Sequence, residues 1–181
     1  KVLARKYPQL DEVRDFVLTS CRRYEARKRD LNLVDFDDLL VLWHQLLVIH
    51  PDVREEQHRR WKHILVDEYQ DTNRLQSGIV EAIAGPSGNL MVVGDDSQSI
   101  YSFRGADFAN IIGFPERHPG CKVFKLEVNY RSIPEILNLS NQSIAHNERQ
   151  FRKTLQSVRR EGGLPEVVAA GTADEQARFV A

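Results

Sequence analysis

The stretch ILVDEYQDTN, Ile64 to Asn73, decides how the rest of the chain reads. Its apolar run, Ile64-Leu65-Val66, has the length and β-branched character of a short buried strand, and it stops abruptly at Asp67-Glu68. A third acid, Asp71, follows after Tyr69-Gln70. Two carboxylates leaving a buried strand can be a solvated turn. They can also be a site, because a carboxylate fixed at a strand end can hold a divalent cation while its neighbour orients or deprotonates a water. Spacing alone leaves both readings open.

After this point the chain alternates strand and helix. Thr72 is placed to cap a helix that buries Leu75, Ile79, Val80 and Ile83 and stops at Gly85-Pro86. Leu90 to Val93 predicts a second strand, ending in Gly94-Asp95-Asp96. A helix is expected over 106–114, a strand over 122–127, and a long helix from the capping box Ser132-Ile133-Pro134-Glu135 through Asn147. After a polar, basic stretch from Arg149 to Gly163, residues 166–170 suggest another strand, and Thr172 caps a last helix. Apolar strands alternating with helices predict an α/β fold with a parallel sheet covered on both faces. Ligand-binding groups in such sheets collect at the carboxyl ends of strands. Asp67-Glu68, Gly94-Asp95-Asp96 and Asn129-Tyr130-Arg131 all fall at or just past such ends.

Upstream the pattern is helical. Leu10, Val13, Phe16, Val17, Cys21 and Tyr24 recur at helical spacing, predicting an amphipathic helix over 9–29 after a short basic lead. Its end carries Arg22, Arg23, Arg27, Lys28 and Arg29, which suits a solvated, dipole-favoured C-terminus better than a phosphate-binding patch. Asp35 to Asp38 opens a second helix with Leu39, Leu42, Trp43, Leu46 and Leu47 inward, ended by Pro51. A short polar helix, 53–61, leads into the quoted stretch.

With 181 residues, 41% of them hydrophobic, the chain can form one domain or a little more with a real core. A formal net charge of −1 leaves no global basic field, so any nucleic-acid contact has to be local. Cys21 and Cys121 match no metal or redox spacing and read as buried, reduced thiols. No apolar run reaches the ~20 residues a membrane span needs, and no signal peptide precedes the first helix; the compartment expected is cytoplasmic, with nucleoid association. The chain begins with Lys1 and not Met, which allows a piece of a longer protein.

Two further segments raise the site reading. VVGDDSQSIYSFRGAD, Val92 to Asp107, puts Gln98, Tyr101, Phe103 and Arg104 in one loop after a strand exit. A turn needs Gly and Asp. It does not need an amide that can bond a phosphate oxygen, or aromatics beside an Arg that can stack on single-stranded bases. The alternative is that one of the two rings is core. In LEVNYRS, Leu126 to Ser132, Arg131 stands where a guanidinium can stabilise a transferring phosphoryl group, and Tyr130 offers a flat face to a nucleobase. Standing alone, that Arg would read as a structural cap or pair.

In this order and spacing, ILVDEYQDTN, VVGDDSQSIYSFRGAD and LEVNYRS resemble motifs II, III and IV of UvrD/Rep/PcrA-type superfamily 1 DNA helicases. VDFDDLL, Val34 to Leu40, resembles another segment of that family. The likeness is specific from about Asp35 to Ser132 and general in the flanks.

The resemblance implies a partial RecA-like (P-loop NTPase) sheet flanked by helices. It implies ATP and Mg²⁺ as cofactors, and single-stranded DNA and duplex junctions as partners, with no membrane. Asp67 would help hold Mg²⁺ and Glu68 would activate the hydrolytic water. Gln70 and Asp71 would couple the nucleotide site to neighbouring motifs, and Gln98 would sense the γ-phosphate. Tyr130 would stack on adenine, and Arg131 would contact the γ-phosphate. Tyr101, Phe103 and Arg104 would face DNA, with Phe103 as the base-stacking platform. Ser102-Phe103 stands where the family usually has Gly-Trp, which keeps the stacking chemistry on a smaller ring.

No GxxxxGK[ST] phosphate loop occurs, and no Gly here is followed by Lys. In the family that loop lies upstream, so the resemblance implies an interior segment that lacks the phosphate-loop strand and needs the remainder of the helicase chain to complete the site. Residues 1–34 would end an inserted 1B-type subdomain. Residues 35–131 would form the C-terminal part of the first RecA-like domain (1A), and 132–181 would start the second (2A). The activity implied is ATP-driven translocation along single-stranded DNA with duplex unwinding, the segment alone being inactive. Two other classes compete: a non-catalytic DNA- or protein-binding module that kept a helicase core's shape, and a metal-dependent nuclease built on Asp67/Glu68 and Asp95/Asp96.

Overall fold

A computed structural model of the chain describes residues 7–85 and 88–181. The basic lead before Tyr7 and the Pro86 half of the expected helix stop lie outside the described residues. The chain divides into two compact units, residues 1–66 with 73–92 and residues 67–72 with 93–181.

The first unit carries helices α1 (Arg14–Asp30), α2 (Phe36–Ile49) and α3 (Pro51–Arg60), strand β1 (Ile64–Val66), helix α4 (Arg74–Ala84) and strand β2 (Leu90–Val92). A capping box opens α2: the Asp38 amide donates to Asp35 Oδ1 and the Asp35 amide to Asp38 Oδ2. Lys28 reaches from the last turn of α1 to the same acids. Its Nζ lies 2.9 Å from Asp35, 2.7 Å from Asp38 and 3.0 Å from Glu25. Those carboxylates hold the ammonium above its ordinary range. Lys28 is therefore a buried clasp and not the solvated helix-end cation expected from the sequence.

The apolar stripe expected to be inward on α1 is open: Val13, Phe16 and Tyr24 are exposed, and so is Cys21, contrary to the buried thiol expected there. On α2 only Leu47 is fully buried, and Leu39, Leu42 and Leu46 stay exposed. Helix α2 packs on α4, with the His44 ring against Gly78. That close approach explains why small Ser77 and Ala84 join Ile79 as the buried residues of α4, while Leu75, Val80 and Ile83 are half-buried. The cap of α4 is Asn73, in a capping box with Gln76, and not Thr72. Gly85 ends α4 at φ 62°, where a Cβ would lie 2.4 Å from the His58 ring; only glycine fits.

Strands β1 and β2 pair in parallel, Ile64 with Leu90 and Val66 with Val92. Parallel pairing is as expected, but Leu65 and Met91 are exposed, so one face of the described pair is not covered.

The second unit carries one-turn helices α5 (Ala109–Ile112) and α6 (Phe114–Arg117), strand β3 (Val128–Asn129), helix α7 (Pro134–Ile144), strand β4 (Gln156–Ser157) and helix α8 (Ala173–Val180). The single helix expected over 106–114 is broken at Gly113. The 122–127 stretch forms no strand, and Phe124 and Leu126 are exposed there; pairing begins at Val128, where Gln156 supplies a parallel partner. Nor is 166–170 a strand: its pairing role falls to Gln156–Ser157, inside the stretch read as polar connection. The N-cap of α7 lies one residue after the expected one. Ile133 is the N-cap, Pro134 fills N1, and Glu135 accepts from the Gly162 amide instead of closing a capping box. Thr172 caps α8 as expected, accepting from the Glu175 amide at 3.2 Å.

Candidate functional site

All the sequence-predicted site residues belong to the second unit. They begin at a tight turn. Tyr69–Asp71 form one 3₁₀ turn, entered through Glu68 at φ 49°, ψ 40°. A left-handed backbone at a non-glycine residue costs about 1 kcal/mol or more and marks a position held by its surroundings. What holds it is the pair of buried residues that follow. Tyr69, fully buried, donates its amide to Val93 O and sets its ring edge-on to Phe114 at 5.6 Å. Gln70, 1% exposed, is the hub. Its Nε2 donates to Glu68 Oε2 at 2.6 Å, and its Oε1 accepts from the Asp95 amide at 3.0 Å. Its carbonyl accepts from Ser99 Oγ at 3.3 Å. Gly94 makes room for this: a Cβ there would lie 2.5 Å from Gln70 Oε1 and 2.8 Å from Ile111 Cδ1.

Asp95 continues the web. It caps the next 3₁₀ turn, Asp96–Gln98, accepting from the Ser97 amide at 3.0 Å, and its Oδ2 accepts from Gln98 Nε2 at 2.7 Å. Lys153 Nζ donates to Asp95 Oδ1 and lies 3.4 Å from Asp96 Oδ1. Asp96, buried, also accepts from the Phe151 amide at 3.2 Å. Burial pushes the Asp95 carboxyl up, but the hydrogen bonds from Lys153 and Gln98 and the ammonium charge outweigh it, and the group settles below its ordinary range.

The structure thus joins Glu68, Gln70 and Gln98 through Asp95. Asp67 stands exposed beside them, one oxygen accepting from the Glu68 amide at 2.9 Å. Asp71 is half-buried, and among the described residues its Oδ1 has no hydrogen-bond partner. Tyr101, Phe103 and Arg104 form an exposed cluster around the Ser102–Arg104 turn. The rings are 6.0 Å apart, and the guanidinium lies 5.3 Å from Tyr101 and 5.5 Å from Phe103. Neither ring is core: Tyr101 is 38% and Phe103 76% exposed.

Tyr130 and Arg131 are exposed beyond β3, and their described bonds do not run to the Gln70 web. The Arg131 amide donates to Asn129 Oδ1 at 2.9 Å, and its carbonyl accepts from Arg159 Nη1 at 2.7 Å. Lys153 and Arg159 went unnoticed in the sequence. A signal was there for Lys153: Phe151, Lys153, Leu155 and Ser157 recur every second residue, and the structure turns these four inward and their neighbours outward.

Among the described residues no three His, Cys, Asp or Glu side chains form a metal cage. Mg²⁺ keeps most of its waters and takes one or two carboxylates with substrate phosphates, so the exposed Asp67 oxygens fit it as a partial ligand set. No described helix is long and apolar enough to cross a membrane.

Residues 3–119 match the UvrD/REP helicase N-terminal domain. The chain belongs to the UvrD/REP helicase family. It is 40% identical over 168 residues to the ATP-dependent DNA helicase Rep of Escherichia coli, covering 92% of this chain and 25% of that protein. It is 39% identical over 181 residues to the ATP-dependent DNA helicase UvrD1 of Mycobacterium tuberculosis, covering 94% and 23%. Over 173 residues it is 38% identical to the ATP-dependent DNA helicase PcrA of Staphylococcus epidermidis, covering 93% and 24%. The chain therefore spans about a quarter of the length of these relatives.

Proposed function

We propose that this chain is an interior segment of an ATP-dependent DNA helicase that couples ATP hydrolysis to translocation along single-stranded DNA and unwinding at duplex junctions. The domain reading goes with it: 1–34 ends a 1B-type subdomain, 35–131 completes a first RecA-like domain, and 132–181 starts a second. The observation that carries the proposal is the Glu68–Gln70–Asp95–Gln98 web. A solvated turn has no need of a buried amide hub that ties one acidic strand exit to another.

The chemistry follows from which atoms remain available. Glu68 keeps Oε1 clear of Gln70's bond to Oε2, so it can accept a proton from an attacking water while Gln70 fixes its direction. Asp67 would hold Mg²⁺, which would supply neutralisation of phosphate charge. Gln98 has a second N–H beyond the one given to Asp95, free to meet a γ-phosphate oxygen. Arg131 presents an exposed guanidinium that suits the same phosphate, and the exposed Tyr130 ring suits adenine. Gln70, whose carbonyl accepts from Ser99 Oγ, would couple this site, together with Asp71, to the loop that ends in Tyr101, Phe103 and Arg104, whose rings and cation suit single-stranded bases.

With no phosphate loop in its sequence, the 181-residue chain is expected not to turn over ATP by itself. In the full-length protein, Glu68→Gln should lower DNA-stimulated ATP hydrolysis by roughly 10²-fold or more while leaving nucleotide binding in place. Hydrolysis that survives that substitution, or full-length protein with no DNA-stimulated turnover, would sink the reading. The binding-module alternative predicts the second of these results, with single-stranded DNA still bound.

A further inference from the structure

The strongest unassigned feature is the ion cluster around Lys153. Its ammonium reaches two adjacent carboxylates, Asp95 and Asp96, whose side chains are 28% and 4% exposed. The backbone beside it is pinned as well, because the Phe151 amide donates to the second oxygen of Asp96. A nearly buried Asp96 next to another acid needs a cation, so part of this arrangement is charge compensation. Compensation alone does not explain why Lys153 meets Asp95 on Oδ1 while Gln98 occupies Oδ2.

Gln98 has two chemically different ends, a donor NH₂ and an acceptor oxygen. An ionised carboxylate only accepts, so Asp95 can pair only with the NH₂ end. Holding Asp95 in place therefore sets which way the Gln98 amide faces, and it leaves one N–H directed outward. The Ser97 amide and the Lys153 ammonium both meet Asp95 on Oδ1, across the carboxylate from the oxygen that Gln98 uses. Without the ammonium, Oδ1 keeps only the Ser97 amide, so the carboxylate is held less tightly and the Gln98 amide paired with its other oxygen is held less tightly with it.

We propose that Lys153 is a positioning residue for ATP turnover: by clamping Asp95 it fixes the orientation in which Gln98 meets the γ-phosphate. This rests on the helicase reading above. Lys153 lies more than fifty residues after Gln98, beyond the Arg131 motif, so the clamp ties a late segment of the chain to an early one within the same compact unit.

A double-mutant cycle in the full-length protein tests it, with ATP hydrolysis measured at saturating single-stranded DNA. Lys153→Met should lower kcat about ten-fold with little change in KM for ATP, as loss of a residue that orients a reacting group does. In a Gln98→Ala background the same substitution should cost almost nothing further, since the amide it positions is gone. Asp95→Asn, which keeps the side-chain volume, should behave like Lys153→Met in both backgrounds and covers the case in which the Lys153 variant fails to fold. Equal losses with and without Gln98, or a kcat untouched by Lys153→Met, overturn the assignment of Lys153 to positioning. Turnover untouched by Glu68→Gln overturns the underlying helicase reading instead, so the two failures are distinguishable.

Discussion

Three turns of the second unit read alike in the sequence and are built in two different ways. The 67–72 turn and the 93–98 turn share one buried hub, with Gln70 bonded to Glu68 on one side and Asp95 on the other. The 128–132 turn has no such hub: Asn129 caps its own backbone, and Tyr130 and Arg131 extend from it, exposed. Groups that must hold a water and a phosphate in one geometry gain from a buried amide, because pre-set direction costs nothing at the moment of reaction. A guanidinium that meets its partner only in one state of the site gains from the opposite, since a pre-paired Arg would have to break a bond first. The first two turns are a fixed frame, and the third is a free arm.

Substitutions should break the frame and the arm in different observables. The largest effect belongs to the arm. On the proposed reading of Arg131 as an arginine finger, Arg131→Ala should cut full-length ATP turnover about 10³-fold. Stability should shift by less than about 0.5 kcal/mol, because the bonds described at this residue are made by its backbone. Denaturant unfolding and a steady-state assay on one preparation check both halves. Next comes the frame: Gly94→Ala drives a methyl against Gln70 Oε1 and Ile111, and should destabilise by about 2–3 kcal/mol with turnover falling in parallel. Phe103→Ala should weaken single-stranded DNA binding by about 1.5 kcal/mol, roughly ten-fold in Kd, and leave stability alone because the ring is exposed.

Which parts of this were legible follows from how local each signal was. The parallel pairing of β1 with β2, 26 residues apart, is readable from the strand–helix–strand alternation between them. The acids at the exits of Val66 and Val93 and the exposed ring–guanidinium cluster are readable because each depends on residues within a dozen positions. The α2 cap was readable for the same reason. The hub was not. The sequence marks Gln70 as a site residue, but nothing local says that its amide spans to a backbone N–H 25 residues away. Lys28 misled for the opposite reason. Its helix-end position favours a cation locally, and only the tertiary placement of Asp35 and Asp38 turns it inward. The short strands differ where pairing decides: 122–127 has strand composition but meets the later segment only at its last residue, where the Glu127 carbonyl accepts from the Gln156 amide, whereas Gln156–Ser157 pairs without strand composition.

The smallest predicted effect separates frame from arm by pH. The Asp95 carboxyl titrates below its ordinary range in the folded chain, where Lys153 and Gln98 favour its charged form over the cost of burial. A depressed folded value means stability that is fully present above the unfolded carboxylate range of about 3.9 and is lost as pH falls through the folded value. Asp95→Asn cannot titrate. The stability gap between the native chain and this variant should therefore be constant near neutrality and close progressively below about pH 4. Subtracting the variant cancels the acids the two proteins share, including Asp35, which the Asp38 amide and the Lys28 ammonium hold at about 2. Arg131→Ala, measured the same way, should run parallel to the native chain over the whole range, since a guanidinium stays charged throughout. A gap that persists unchanged to pH 2 would mean that Asp95 holds Gln98 without its charge, and the frame would then be shape alone.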